Sequence, residues 1–160
     1  MLTISYVVPQ IAILSSLLCT VTVWAQTRPI MFQDCGSEGS RVSQVRITPC
    51  SSDPCVFVRG TKLHAEVDFL TTRASPTADI NATITIFYPM AVPILPANAC
   101  VGGGGLSCPL AANTLYTFTG HAQVLRSPPP LYLPVPMIAR MYGDNNSTVI
   151  FCIKFNLETR

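Results

Sequence analysis

The chain has 160 residues, 49% of them hydrophobic and only 11% charged, with a formal net charge of +2. That length suits one domain around one core. The charge is sparse and no basic cluster accompanies it, which excludes nucleic acid as the partner.

Ile11 to Leu18 form an apolar run, and Val21-Thr-Val-Trp-Ala25 ends in a small-residue cleavage pattern. Pro9, Gln10, Ser15 and Ser16 interrupt the wider stretch, whereas a membrane span needs about 20 apolar residues. Residues 1–25 therefore read as a signal peptide and 26–160 as the mature domain. An uncleaved anchor is the alternative, because no Lys or Arg precedes Arg28. Cys19 leaves with the signal. Six cysteines remain: Cys35, Cys50, Cys55, Cys100, Cys108 and Cys152. An even set after a signal reads as a disulfide framework in an oxidising compartment. Two local staples and one long clasp are the simplest of many pairings, and spacing alone leaves the others open.

The body of the chain alternates with the period of a β-strand. Val42, Val45 and Ile47 suggest a strand ending at Pro49. Leu63, Ala65, Val67 and Phe69 alternate with His64, Glu66 and Asp68, and Ile80, Ala82, Ile84 and Ile86 alternate with Asn81, Thr83 and Thr85. Leu115 to Val124 and Val149 to Leu157 supply two more strands. The apolar segment from Leu131 to Tyr142 holds Pro134 and Pro136, which belong at an edge, a bulge or the start of a strand. Gly-, Pro- and Ser-rich turns separate these runs, and no window carries a helical stripe. The expectation is an all-β sandwich. Sequons at Asn81, Asn145 and Asn146 make Asn81, and either Asn145 or Asn146, glycosylation candidates.

Catalytic chemistry is hard to find. His64, Glu66 and Asp68 share one face of a strand, where a solvated outer surface is the preferred reading over an acid–base or metal site. No short histidine spacing suggests a metal, and with every mature cysteine paired no thiol nucleophile remains. Gly102-Gly-Gly-Gly105 lacks the Lys and Ser/Thr of a phosphate loop and reads as a flexible, disulfide-closed loop. Pro128-Pro-Pro130 reads as a stiff connection. No enzyme, cofactor or metal is expected. The abundant uncharged inward positions allow either a filled core or an apolar cavity.

Phe32-Gln-Asp-Cys-Gly-Ser37, the V-x-x-V-x-I-x-P-C run from Val42 to Cys50, and Asp53-Pro-Cys-x-x-x-Arg-Gly60 resemble the ML lipid-recognition family. Asn98-Ala-Cys100, Cys108-Pro-Leu110 and Phe151-Cys152 extend the likeness over the whole mature chain. Within that family the chain resembles the soluble Niemann-Pick type C sterol carriers and the group-two mite allergens. The resemblance implies an immunoglobulin-like β-sandwich of two antiparallel sheets with an apolar cavity between them. It also implies the pairing Cys35–Cys152, Cys50–Cys55 and Cys100–Cys108.

The sterol carriers of the family place aromatic rings at the pocket mouth where this chain has Val92 and Pro128, and a tryptophan where it has Ile153. Val124 and Phe69 match. Together with the inward positions, the expected lipid-binding set is Leu63, Val67, Phe69, Ile84, Ile86, Val92, Phe118, Val124 and Ile153. Glu66 stands where the family's lysosomal sorting glycan would attach, so secretion is expected in preference to lysosomal delivery. The implied function is a monomeric, non-enzymatic carrier of a sterol, fatty acid or other lipid, with a membrane lipid transporter or receptor as a further partner. The alternative is a recognition protein that presents microbial lipid, or a small hydrophobic signal, to a receptor.

Overall fold

Alternation in this chain becomes a two-layer sandwich. The computed structural model describes residues 28–126 and 131–160. The expected signal segment and Pro128 lie outside the described residues. Among the described residues the strands number ten: β1 (Gln33–Asp34), β2 (Ser40–Thr48), β3 (Cys55–Phe57), β4 (Lys62–Thr71), β5 (Asp79–Thr85), β6 (Pro89–Val92), β7 (Ile94–Leu95), β8 (Leu115–Gln123), β9 (Val135–Gly143) and β10 (Thr148–Thr159). One sheet runs β1-β10-β9-β5-β6, with β3 also paired to β10, and the other runs β2-β4-β8-β7. Every pairing is antiparallel except β3 with β10. The architecture is an immunoglobulin-like β-sandwich.

Register explains the packing. Val45, Val67 and Phe118 lie opposite one another across β2, β4 and β8, and all three are buried. Phe151, Met141 and Ile80 form the corresponding buried row across β10, β9 and β5. Side chains on alternate positions meet between the layers, so a strand's inward face becomes core. Pro136 sits at the start of β9, one residue before that strand's pairing with β5 begins at Met137, so its missing N–H breaks no bond to β5.

The disulfides join Cys35 to Cys152, Cys50 to Cys55 and Cys100 to Cys108, with Cα–Cα distances of 5.0, 5.3 and 5.4 Å. The first motif of the sequence has a local reason. Asp34 Oδ1 accepts hydrogen bonds from the backbone N–H groups of Gly36 and Ser37, both at 2.9 Å. Gly36 takes φ +114°, a conformation that favours glycine. The turn lets Cys35 N–H donate to the Cys152 carbonyl and Ser37 Oγ accept from Cys152 N–H. The long clasp is thereby held in register on both sides.

The glycine-rich loop is built into the fold and is no free loop. Gly104 is buried, and its carbonyl accepts a hydrogen bond from Thr119 N–H on β8 at 2.9 Å. A Cβ on Gly104 would lie 2.7 Å from the Ala99 carbonyl oxygen. The glycine permits close backbone approach, and the loop extends cover along an edge that two-residue β7 protects only in part.

Candidate functional site

Strand ends from both sheets converge at one end of the sandwich. Leu63 lies near the start of β4, Ile84 near the end of β5, Met137 near the start of β9 and Leu157 near the end of β10. Antiparallel register puts Ile84 opposite Met137, and Leu63 opposite Ala122 just before Val124. Val124 is pinned by its backbone: its N–H donates to Thr61 O at 3.0 Å and its carbonyl accepts from Gly60 N–H at 2.8 Å. Leu131 is fastened over the end of β10 by reciprocal contacts, donating to Thr159 Oγ1 and accepting from Thr159 N–H, both at 3.0 Å.

Together these residues, with Phe57, Val92 and Leu125, line an apolar cavity of about 60 Å³ between the sheets. Gln123 and Thr159 are the polar residues in its wall. Gln123 Nε2 donates to Gly60 O at 3.2 Å, and Thr159 Oγ1 is occupied by Leu131. The wall therefore offers a ligand apolar surface and little free hydrogen-bonding capacity. A drug-sized ligand needs a cavity of roughly 300 Å³ or more, so the site must widen to admit one.

Outside this cavity, and sharing Leu131 with it, a broad groove of about 750 Å³ runs between Thr85–Met90 and Leu131–Pro136. It carries exposed Phe87, Tyr88, Tyr132 and Leu133, and Phe87 is 94% exposed. Sequence reasoning missed these rings. It looked for mouth aromatics at Val92 and Pro128, while the structure carries them on the connections flanking β6 and β9. Phe87-Tyr88 directly before Pro89 was the available signal, since an aromatic pair beyond the last alternating position marks apolar side chains leaving a strand.

The expected lipid-binding residues fall into three groups. Leu63, Ile84, Val92 and Val124 line the cavity. Val67, Phe69, Phe118 and Ile153 lie deeper on the same inward faces, each at most 3% exposed within the closed core. Ile86 lies outside the cavity: β5 stops at Thr85, and the side chain lines the outer groove instead. The sequon residues Asn81, Asn145 and Asn146 are all exposed.

The opposite, outer face of the four-stranded sheet is polar. Arg46 Nε meets Glu66 Oε2 at 2.7 Å, and Arg46 Nη1 meets Asp68 Oδ2 at 2.6 Å. Hydrogen bonds from Arg46 hold both carboxyl groups below their ordinary range, against the opposing cost of burial. The same bonds hold the guanidinium in its charged form. Glu66 is thus a structural ion-pair partner at the position where the family's sorting glycan was expected. Arg126 follows the cavity-lining Leu125, and its carbonyl accepts a hydrogen bond from Arg59 Nη1 at 3.0 Å.

A family model described as the ML domain matches residues 29–159. A Danio rerio protein named NPC intracellular cholesterol transporter 2 is 28% identical over 147 residues, covering 91% of this chain and 95% of its own. The Mus musculus protein of the same name is 25% identical over 141 residues, covering 85% and 89%. A crystal structure of a Niemann-Pick type C2 protein from Japanese carpenter ant superposes with a TM-score of 0.71 at 22% identity, covering 82% of this chain and all of that one. The last likeness establishes the shared fold.

Proposed function

The chain belongs to the ML-domain family, and from that premise we propose that it is a secreted, non-enzymatic carrier of a sterol, fatty acid or other lipid. The observation that carries this reading is the apolar cavity between the sheets, which shares Leu131 as a wall with an exposed apolar groove. A ligand would enter along the groove and part the sheets at Leu63, Ile84, Val92 and Val124. Val67, Phe118 and Ile153 then become the deeper lining. Met137 suits such a wall, because its unbranched side chain adapts to different shapes.

The driving force is desolvation, at about 25 cal/mol per Å² of apolar surface removed from water. Ordering the ligand and separating the sheets oppose it. From a closed cavity of about 60 Å³, a slender acyl chain demands less separation than a rigid fused-ring sterol. Acyl ligands therefore compete well with cholesterol. The polar headgroup stays at the mouth, in solvent.

Three disulfides suit an oxidising compartment, with residues 1–25 as the signal and 26–160 as the monomeric domain. Asn81, and one of Asn145 or Asn146, would carry glycans. A membrane lipid transporter or receptor is the further partner. No cofactor enters this mechanism. Arg126, the residue after cavity-lining Leu125, would favour a second reading, a recognition protein that presents an anionic microbial lipid or a small hydrophobic signal to a receptor.

The test is to recover the protein from culture medium, extract it with organic solvent and identify the lipids by mass spectrometry. Delipidated protein is then titrated with fluorescent sterol and fatty acid. Stoichiometric lipid and saturable displacement are expected. Protein that emerges lipid-free and binds neither probe overturns the carrier reading.

A further inference from the structure

The chain contains two histidines, and the fold makes them direct cross-strand partners: His64 on β4 lies opposite His121 on β8. They are 57 positions apart in sequence, so no local spacing could have paired them. Their Nδ1 atoms are 3.4 Å apart, with ring centroids at 4.9 Å and a 42° tilt between the planes. The far nitrogen of His64, Nε2, lies 3.3 Å from Glu66 Oε1. Glu66 is itself fixed by Arg46 through its other oxygen at 2.7 Å.

We propose that His64 and His121 chelate a divalent transition-metal ion of the zinc or copper class through their Nδ1 atoms. The spacing fits. An ion at about 2.05 Å from each of two nitrogens separated by 3.4 Å subtends an angle of about 112°, close to tetrahedral. Both side chains are on the outer face of the sheet, where rotation about χ2 can turn the two lone pairs toward one point. Glu66 supplies the outer partner that ligating histidines ordinarily have. Glu66 Oε1 is placed to accept the Nε2–H of His64, the tautomer that leaves the lone pair on His64 Nδ1; His121 Nδ1, which faces it as the N–H, gives up its proton when the ion binds. Arg46 orients that carboxylate through its other oxygen at 2.7 Å.

Among the described residues no group of three or more ligating side chains gathers, so solvent fills the remaining positions. The six framework cysteines are paired and cannot compete for the ion. The site departs from the expectation of no metal drawn from the sequence. It stands independently of the lipid reading. A bound ion would clip β4 to β8 beside Leu63 and Ala122, on the sheet that forms one wall of the cavity.

The experiment uses the secreted, disulfide-intact protein, stripped with chelator and titrated with Zn²⁺ and with Cu²⁺ by calorimetry at neutral pH. One ion per chain is expected, with Cu²⁺ tighter than Zn²⁺. The Cu²⁺ complex should show imidazole nitrogen couplings in its electron-spin spectrum. His64→Gln and His121→Gln should each abolish the saturable phase while leaving the metal-free melting temperature within a few degrees. Glu66→Gln should weaken binding about 10- to 100-fold without changing stoichiometry. Wild-type protein that shows no saturable binding, or His121→Gln protein that binds as the wild type does, overturns the proposal.

Discussion

The two ends of this sandwich use the same strands differently. At the end built from the close of β4 and the start of β10, Phe69 and Phe151 are fully buried, with ring centroids 5.2 Å apart. Tyr116 stacks on Phe69 from the neighbouring strand. Buried polar groups there are satisfied: Thr71 Oγ1 donates to backbone carbonyl oxygen at Ala111 and accepts from Thr114 N–H. At the other end the inward positions hold Leu63, Ile84, Val92 and Val124, which are only partly buried and surround a void. Along β10, exposure falls from 9% at Thr159 to 0% at Phe151. One face of one strand thus passes from pocket wall to filled core. Aromatic rings and satisfied polar groups lock the first end, while aliphatic side chains around unfilled space leave the second able to open.

The largest expected effect falls on the cross-link that spans the sandwich. Replacing Cys35 and Cys152 together by Ser frees a loop whose ends are 117 positions apart, a loss of about 4–5 kcal/mol in the chain-entropy model. Denaturant titration of the double variant should show that loss, and a change below about 1 kcal/mol would break the account of the clasp.

Next comes the contrast between ends. Phe69→Ala should cost about 3–5 kcal/mol. Leu63→Ala, at a partly exposed wall, should cost about 1–2 kcal/mol. The sharper readout is ligand dependence: lipid should raise the melting temperature of the Phe69 variant as it does the wild type's. The Leu63 variant should show an altered lipid increment because its wall has changed. Equal costs at both positions, with equal lipid increments, would erase the distinction between a locked end and an opening end.

The outer-face ion pairs provide a control that should ignore lipid. Arg46→Met removes hydrogen bonds to two carboxylates, each held below its ordinary range in the folded chain. A loss of about 1–3 kcal/mol is expected near neutral pH. Because the folded values are depressed, this contribution is fully present above the unfolded carboxylate range. It disappears as pH falls below the ordinary carboxylate range and through the lowered folded values. Wild-type and variant stabilities should therefore stay apart at pH 5 and converge in stronger acid. Convergence already at pH 6 would mean that the clamp does not depress these carboxyl groups.

The smallest effect on stability, and the one most specific to ligand, is expected at the cavity wall. Val92→Phe adds a ring to a partly buried position and should change stability by about 1 kcal/mol or less if the void accepts it. It should shift competition binding from fatty acid toward sterol, or narrow access to both. Unchanged selectivity together with unchanged affinity would remove Val92 from the ligand's path.

Alternation alone determined that the chain forms half-buried strands, and it located most of β2, β4, β5, β8 and β10, because successive side chains in an extended backbone must point to opposite faces. Short strands between regular turns pointed to a sandwich, and the family motifs supplied its immunoglobulin-like form and the cysteine pairing. Alternation could not reveal β1 and β7, which have two residues each and so no measurable period. Nor could it say how deep an inward residue sits. Phe69 and Leu63 occupy the same phase of one strand, yet one is locked in core and the other borders a void. That difference depends on which residues of β5, β9 and β10 stand across the gap, a contact between parts of the chain far apart in sequence. Ile86 keeps the alternating phase but loses its place between the sheets, because β5 ends one residue earlier. His64 reads with Glu66 and Asp68 as part of a solvated outer face, and nothing in the sequence places His121 beside it. Only the β4–β8 register, set by burying the other face of both strands, brings their rings together.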